Sequence, residues 1–517
     1  MRWTALIALT LILAVTTWPI AGQDNRRIEL EIGEDTTFFT GPVRDDGTID
    51  YIAALNAQYG EGIANQDNAY VILVQLFAEQ DPDRRVEEEH HWEQTFEVLG
   101  IDPPADRVRF SNWNAFAAEL GFDEREALDH YNMALAGPWS EEDYPEIGVW
   151  LEVNEDALLL LREGLEREKF FSPIVSADDD QSLLGAITPN LHHYRQIAKL
   201  LLIRFHRDVQ RGDVDAAIDL VWLIDRLGYH ASAEPTVIGK LVGFSCRRLA
   251  ATAIAEICGR GALDQRHAIR LIRTHMRANE KQSFQDVMNH SDRCLALEQA
   301  QLLYLRLIDV RIQFLREHGG QAPEVAELFD INQSLRQMND YYDDVLAVLR
   351  EPDALARERQ LEVLESEIYD SYGEPYLSQT FLLGMLQVAA GQGFPTQLFT
   401  EKLTLKLVQT LMPSVDSAER VEARVNTRRL VDCAGLALLG YRDRHGELPE
   451  SLDALVPTYL DAVPADLFAD APLVYRVNDD GSALVYSVGG NFQDDGGVDD
   501  YRDGDIAIRI GPSPTQD

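Results

Sequence analysis

A glycine-rich loop near the C-terminus carries the residues with the most definite chemistry. Aspartates alternate with glycines there, at Asp494, Asp495, Asp499, Asp500, Asp503 and Asp505. Calcium takes oxygen ligands from carboxylates and backbone carbonyls, and a tight glycine-rich loop can present both. The loop therefore predicts a structural Ca²⁺ site, with Asp494, Asp495 and Asp505 as ligands. The alternative is a solvated acidic turn that needs no metal, since the spacing does not follow the EF-hand order of ligands.

A row of arginines is the second such pattern. Arg266, Arg270, Arg273 and Arg277 are spaced by four, three and four residues, which places them on one face of a helix. A cationic stripe of this kind predicts a surface that binds an anionic ligand. Two other interpretations stay open: the stripe pairs with the protein's own acidic side chains, or it is simply solvated.

Histidines occur in two further clusters. Glu87–Glu93 places His90 and His91 among glutamates, but a bound metal usually draws its ligands from several segments. A solvated acidic helix face is therefore the preferred interpretation. His192 and His193 begin a predicted helix, and neighbouring side chains of a helix point to different faces. Packing or exposure to solvent explains these two histidines better than catalysis does.

None of the common catalytic motifs is present. The sequence contains no G-x-S-x-G, H-E-x-x-H, G-x-x-x-x-G-K-[ST] or paired C-x-x-C pattern. Each of these motifs holds reactive side chains in a known geometry, so the sequence assigns no catalytic residue. Hydrolases without a local signature exist, and an enzyme therefore stays open as the second interpretation behind a non-catalytic protein.

The net charge restricts the partners. The 517 residues include 87 Asp and Glu against 46 Lys and Arg, for a formal net charge of −41. A surface with this charge repels phosphate backbones and anionic lipid headgroups, which argues against nucleic acid as a partner. The stretch from Tyr194 to Glu317 differs because its basic residues slightly outnumber its acidic ones. Such asymmetry is typical of a docking surface.

The N-terminus has the pattern of a signal peptide over residues 1–22. Arg2 precedes an apolar stretch at Ala5–Val15, and Pro19 is followed by the small residues of a cleavage site. This pattern predicts a periplasmic or secreted protein with cleavage near Ala21–Gln23. The alternative is an uncleaved membrane anchor that faces the periplasm, although the apolar stretch is short for a span. No later segment is predicted to cross a membrane.

The fold class follows from helical periodicity over most of the chain. Long helices are predicted across 184–415, and a mostly helical region precedes them at 23–183. The segment Val237–Ile257 has apolar residues on most sides, a pattern typical of a helix at the centre of a bundle. We expect a mainly α protein, arranged as a helical bundle or an irregular α-solenoid.

The C-terminal segment 416–510 has a different character, and a tail follows at 511–517. Leu430, Ala434, Ala437, Leu438 and Tyr441 share one helical face. Three strand-like runs come after this helix, at Leu473–Val477, Ala483–Val488 and Ile506–Ile510. Asn478–Gly481 joins the first two runs with residues typical of a hairpin turn. The pattern predicts a small α+β domain.

The order of motifs from about Glu419 to Ile510 resembles the globular domain of the major pseudopilins of type II secretion systems. The motifs that carry the resemblance are Tyr441–Pro449, Ser451–Leu455, Val463–Phe468, Leu473–Tyr475, Val485–Asn491 and Asp494–Gly497. The resemblance implies the α+β fold and calcium in the aspartate loop. It does not imply a filament subunit, because the prepilin cleavage site and assembly helix are absent. Leu467 stands where the family usually has proline.

The sequence thus predicts an exported, non-catalytic protein that binds or scaffolds an unknown protein or cell-envelope partner. One alternative is a cell-envelope hydrolase with a cleft between the N-terminal and helical regions. Another is an accessory component of a secretion or surface assembly, which rests on the C-terminal segment alone. The rest of the chain resembles exported bacterial proteins of the same layout, and this resemblance implies no activity.

Overall fold

A computed structural model describes residues 27–77, 86–103, 108, 110–176, 182–186, 190–261, 263–276, 283–318, 324–370, 393–411, 415–469, 471–499 and 504–512. The chain divides into two compact units, and each is built from three separate segments. The first unit lies within 1–59, 174–186 and 285–416, and the second within 60–173, 187–284 and 417–517. The predicted signal peptide at 1–22 lies outside the described residues.

The described chain is mainly helical, as predicted. The helices are α1 (Tyr51–Gly60), α2 (Tyr70–Phe77), α3 (Val86–Leu99), α4 (Trp113–Glu119), α5 (Glu124–Ala136), α6 (Pro145–Val153), α7 (Glu155–Glu166), α8 (Asn190–Arg211), α9 (Val214–Ala231), α10 (Val237–Arg260), α11 (Gln265–Met276), α12 (Phe284–Val287), α13 (Arg293–His318), α14 (Val325–Leu328), α15 (Ile331–Leu349), α16 (Ala354–Asp370), α17 (Thr396–Leu411) and α18 (Val415–His445). A π-helical turn, Met288–Asp292, separates α12 from α13. No helix of the described residues is long and apolar enough to cross a membrane.

In the first unit, α13, α15 and α17 pack on one another. Small polar residues let α15 and α17 approach closely. The hydroxyl of Ser334 lies 2.7 Å from that of Thr404, and the Thr400 hydroxyl accepts a hydrogen bond from the backbone N–H of Asp330. These contacts satisfy buried polar groups without side-chain charge.

The second unit is centred on α8, α9 and α10. Asp213 caps α9 by accepting from the backbone N–H of Ala216, and Thr236 caps α10 by accepting from that of Gly239. Helix α8 contacts both α9 and α10, which is the arrangement of a bundle and not of an open solenoid. Helices α9 and α10 meet through glycines, since a Cβ at Gly243 would overlap the backbone of Gly228 and Ser232.

Helix α10 lies at this centre, but it is not buried all round. Val242, Phe244, Ile254 and their neighbours on the same faces are buried. Leu241 is 37% exposed and Ile238 is 63% exposed. The predicted burial therefore does not extend to one face of the helix, and part of that face lines a cavity.

The C-terminal part has the predicted elements. Strands β1 (Val474–Val477), β2 (Ala483–Ser487) and β3 (Ile506–Ile510) form an antiparallel sheet in the order β1-β2-β3. The hairpin between β1 and β2 closes where the backbone N–H of Asn478 donates to the carbonyl of Ser482. Short 3₁₀ helices lie at Leu452–Leu455 and Gly489–Asn491.

This segment shares its hydrophobic core with the helices of the second unit. Buried residues of α18 and the sheet belong to the same cluster as those of α8–α11, and β3 packs on α10. The backbone N–H of Gly511 donates to the carbonyl of Cys258, and Arg442 donates to the carbonyls of Gly261 and Gly511. The two units therefore differ from the consecutive domains predicted at 23–183, 184–415 and 416–510, because the core joins segments that are distant in sequence.

Candidate functional site

A cavity of about 750 Å³ lies in the second unit, between α10 and α18. This volume is within the range of small-molecule sites. Its lining residues are Leu241, Phe244, Ser245, Arg247, Arg248, Ala251, Thr252, Ala255, His275, Arg420, Val421, Arg424, Val425, Arg428, Arg429, Asp432, Asp499 and Ile506. Helix α11 contributes His275 and strand β3 contributes Ile506 to the walls.

The lining is strongly cationic. It includes six arginines and two aspartates, in a chain whose net charge is −41. Arg420, Arg424 and Arg428 repeat every four residues on α18, so they follow one another along a single face at intervals of about 6 Å. Arg247 and Arg248 contribute to the lining from α10. The cavity therefore concentrates positive charge in a chain whose net charge is strongly negative.

The open face of α10 follows from the spacing of its residues. Leu241, Ser245, Arg248 and Thr252 are three or four residues apart, and the first, third and fourth are exposed. The opposite face carries Val242, Ala250 and Ile254, which are buried in the common core. The same helix thus packs α8 and α9 on one side and presents a wall of mixed polarity on the other.

Five ionisable residues from four helices meet beside one part of the cavity wall. His275 Nδ1 lies 3.1 Å from Asp225 Oδ2, and His275 Nε2 lies 3.8 Å from Asp432 Oδ2. Arg247 Nε lies 3.4 Å from Asp225 Oδ1. Arg428 Nε donates to Asp432 Oδ1 at 2.8 Å. We call these five residues the ion network.

The two carboxyls of the ion network have opposite pKa shifts. Burial by itself would raise the pKa of Asp225, but His275 and Arg247 beside it lower that pKa to about 2. Burial raises the pKa of Asp432, although Arg428 and His275 act in the other direction. Asp225 is therefore the better compensated carboxylate, and Asp432 is the costlier one to keep ionised.

Asp432 has one oxygen without a hydrogen bond among the described residues. Its Oδ1 accepts from Arg428, while Oδ2 is buried and accepts none. The ring of His275 is near enough for charge attraction but not aligned for a hydrogen bond to either carboxylate. A buried acceptor without a donor costs about 1–3 kcal/mol, so a donor brought by a ligand would stabilise Asp432.

The ion network lacks a nucleophile within the described part of the chain. No serine, threonine or cysteine there is hydrogen-bonded to His275, and both ring nitrogens of His275 face carboxylates. His275 and Asp432 are both buried. The arrangement can hold charge and accept hydrogen bonds, and it does not present an activated hydroxyl or thiol.

The predicted arginine row on α11 lies outside this cavity. Arg270 forms ion pairs with Asp215 and Asp219, and Arg266 pairs with Asp264 at 3.5 Å. Arg273 is on the same helix, and Arg277 lies outside the described residues. The contacts of Arg266 and Arg270 match the interpretation in which the row pairs with the protein's own acidic side chains.

The aspartate loop uses its carboxylates to hold its own backbone. Asp505 Oδ2 accepts from the N–H of Gly497 at 2.6 Å, and Asp505 Oδ1 accepts from that of Asp495 at 3.3 Å. Asp494 Oδ1 accepts from the N–H of Gly496 and from the Tyr486 hydroxyl. The described residues contain no group of three or more His, Cys, Asp or Glu placed to hold a metal. Asp500 and Asp503 lie outside them, so the calcium site stays a prediction.

Calcium at this loop would take over oxygens that now accept backbone N–H groups. We therefore expect millimolar Ca²⁺ to give a heat of binding and to raise the melting temperature of the full chain. Asp505→Asn should remove both effects, whereas Asp461→Asn, an exposed site elsewhere, should keep them. A full chain that neither binds nor responds to chelator would leave the loop as a turn held by its own amides.

Among the other histidines, His91 departs from the solvated helix face that was expected for its cluster. His91 is buried on α3, where desolvation lowers its pKa to about 4, and His90 is exposed. His193 stacks on Phe77 with ring centroids 5.7 Å apart. His206 is buried, with Nδ1 3.1 Å from the carbonyl of Ala134. The side chains of Glu87, Glu88 and Glu89 lie outside the described set.

The sequence carries one signal of this cavity. Arg420, Arg424 and Arg428 repeat at a helical spacing, as the arginine row on α11 does. The apolar face of the same segment is the feature that predicts the α+β domain. Arg247 and His275 carried no local signal, because only the fold brings them beside Asp432.

Comparison with known proteins adds no relative. No family model, curated protein or solved structure matches the chain. The resemblance of the C-terminal segment to major pseudopilins therefore stays a prediction.

Proposed function

We propose that this is an exported, non-catalytic protein that binds an anionic ligand in the cavity between α10 and α18. One observation carries the proposal: six arginines and two aspartates line a single cavity in a chain of net charge −41. Charge at random positions in such a chain would be mostly negative. The ligand belongs to the unknown protein or cell-envelope partner expected from the sequence.

Arginine suits this role for geometric and electrostatic reasons. Its planar guanidinium donates two parallel hydrogen bonds to a carboxylate, phosphate or sulfonate. Arg420, Arg424 and Arg429 are half-buried, and charge attraction is less screened by salt at such positions than on an open surface. The net negative charge of the chain repels anions at long range, so short-range contacts must supply the affinity.

A hydrolase is the second candidate, and the ion network is what favours it. Two carboxyls with opposite pKa shifts beside a histidine are common in active sites. The cleft predicted from the sequence is between the N-terminal and helical regions, whereas this network lies among α9, α10, α11 and α18. Among the described residues no hydroxyl or thiol is hydrogen-bonded to His275, and this favours binding over hydrolysis.

Export and location rest on the N-terminal pattern. The signal-like segment supports a periplasmic or secreted protein, with a membrane-anchored form as the alternative. An accessory role in a secretion or surface assembly would rest on the resemblance of the C-terminal segment alone.

Binding can be tested with pyrene-1-sulfonate, a fluorescent anion with an apolar body and no hydrogen-bond donor. We expect it to bind the full chain, and we expect Arg424→Gln to weaken binding roughly tenfold by removing a charged donor. Fluorescence titration measures both dissociation constants. Arg270→Gln is the matched control, because Arg270 belongs to the row on α11 that pairs with Asp215 and Asp219.

A second substitution at Arg424 separates the effect of charge from that of the donor geometry. Arg424→Lys keeps the charge but loses the fork of donors, so its affinity should fall between those of the native chain and Arg424→Gln. Equal losses in Arg424→Gln and Arg270→Gln would show general charge attraction and contradict a site in the cavity. No binding by the native chain would do so as well.

A further inference from the structure

Positive charge extends along the cavity and is not gathered at one end. Arg420 and Arg428 are eight residues apart on α18, a distance of about 12 Å at 1.5 Å per residue. Arg424 lies between them, and Arg247 and Arg248 belong to the opposite wall. A ligand with one charged head would use only part of this row. The spacing suits a ligand whose anionic groups repeat along its length.

Acceptors and hydroxyls accompany the arginines. Asp432 Oδ2 is buried and accepts no hydrogen bond among the described residues. A hydrogen-bond donor on the ligand would satisfy this acceptor. Ser245 and Thr252 add hydroxyls on the α10 wall. An anion that carries only acceptor oxygens, such as a phosphate chain, is repelled by the Asp432 carboxylate and donates no hydrogen bond to it. The ligand must therefore carry neutral donors beside its anionic groups.

Apolar side chains interleave with the polar ones. Val421 and Val425 each follow an arginine on α18, and Leu241, Phe244 and Ala251 lie on the α10 wall. These apolar side chains form small patches that charged and hydroxyl groups separate. Such patches suit the C–H faces of sugar rings. A continuous alkyl chain would instead contact a charged guanidinium at every turn of α18, which is unfavourable for an apolar group.

We propose that the cavity binds an acidic oligosaccharide, with its carboxylates on the arginines of α18 and a hydroxyl donating to Asp432. This inference rests on the proposed function and names the class of its ligand. The carboxylates meet Arg420 and Arg424, ring faces lie on Val421 and Val425, and one hydroxyl reaches the ion network. The cell-envelope partner expected from the sequence is then a polysaccharide with uronic acid residues.

Calorimetry on the full chain with four probes tests the ligand class. The probes are a trimer of galacturonic acid, the neutral galactose trimer of the same linkage, tripolyphosphate and dodecanoate. We expect the acidic trimer to bind, with the neutral trimer at least roughly tenfold weaker because it lacks the charged acceptors. Tripolyphosphate and dodecanoate should not compete with the acidic trimer at equal concentration.

Asp432→Asn separates the hydroxyl contact from simple charge attraction. Removing a carboxylate makes the cavity more positive, so pyrene-1-sulfonate should bind as well as before or better. The acidic trimer should bind roughly tenfold weaker, because the buried acceptor for its hydroxyl has changed. Ser245→Ala gives a second variant outside the ion network, and we expect a smaller loss for the trimer and none for the sulfonate.

The outcomes distinguish the two proposals. If pyrene-1-sulfonate binds but dodecanoate or tripolyphosphate outcompetes the acidic trimer, the ligand class is wrong and the anion site stands. If neither the sulfonate nor the trimer binds, both proposals fail. If the trimer binds and is cleaved to shorter products, the ligand class holds and the non-catalytic assignment is overturned.

Discussion

Aspartate in place of Ile254 should lower the free energy of unfolding by about 4 kcal/mol or more, because it buries an unpaired charge. Ile254 is fully buried at the middle of α10, in the core shared by the bundle and the C-terminal sheet. Arg247, two turns earlier on the same face of the helix, is already paired with Asp225. Urea unfolding followed by circular dichroism measures the loss as a lower midpoint.

The matched variant on the same helix is Leu241→Asp. Leu241 is 37% exposed and lines the cavity, so its replacement should cost less than about 1 kcal/mol. The sequence pattern alone predicts the same large loss at both positions. Equal losses would contradict an open face on α10, and a cavity there would then be unsupported.

Replacing Arg247 with methionine should cost about 3 kcal/mol, because buried Asp225 would lose the guanidinium that pairs with it. Methionine retains most of the side-chain packing against α9, where Arg247 lies beside Gly228. The double variant Arg247→Met/Asp225→Leu should recover much of the loss, because no uncompensated carboxylate remains. A double-mutant cycle in urea gives the coupling energy of the pair.

The same pair predicts a dependence on pH. Because the pKa of Asp225 in the folded protein is about 2, below its ordinary value of 3.8, ionised Asp225 stabilises the folded state above pH 3.8. That contribution is lost as the pH falls through about 2. Asp225→Asn should therefore flatten the decline of stability with acid in this range. A decline identical to that of the native chain would show that Asp225 is not held ionised by its neighbours.

The elements of this protein were largely predictable from local sequence. Helix α10 begins after Thr236, whose side chain caps it, and its left-handed C-cap residue is Gly261. The hairpin at Asn478–Gly481 joins β1 and β2 as its turn residues indicate. Caps, turns and periodicity depend on residues within a few positions of one another. They can therefore be predicted from a single sequence.

The site was not predictable in the same way. Asp225, Arg247, His275 and Asp432 come from four helices, and no spacing along the chain relates them. The arginines at 266 and 270 and those at 420, 424 and 428 have the same kind of helical repeat. In the first set Arg270 pairs with Asp215 and Asp219, whereas the second set lines a cavity, where Arg428 pairs with Asp432. Which row can bind a ligand depends on what the packing places opposite each helix.

By itself the sequence determined the helical class, the small antiparallel sheet and the negative charge, because composition and short-range periodicity specify them. Tertiary structure decided that the C-terminal sheet joins the helical core through β3 and α10. It also decided that one face of α10 stays open beside the arginines of α18. The physical reason is that the burial of apolar surface between distant segments determines which faces pack together. The local spacing of residues does not indicate which distant segments pack on one another.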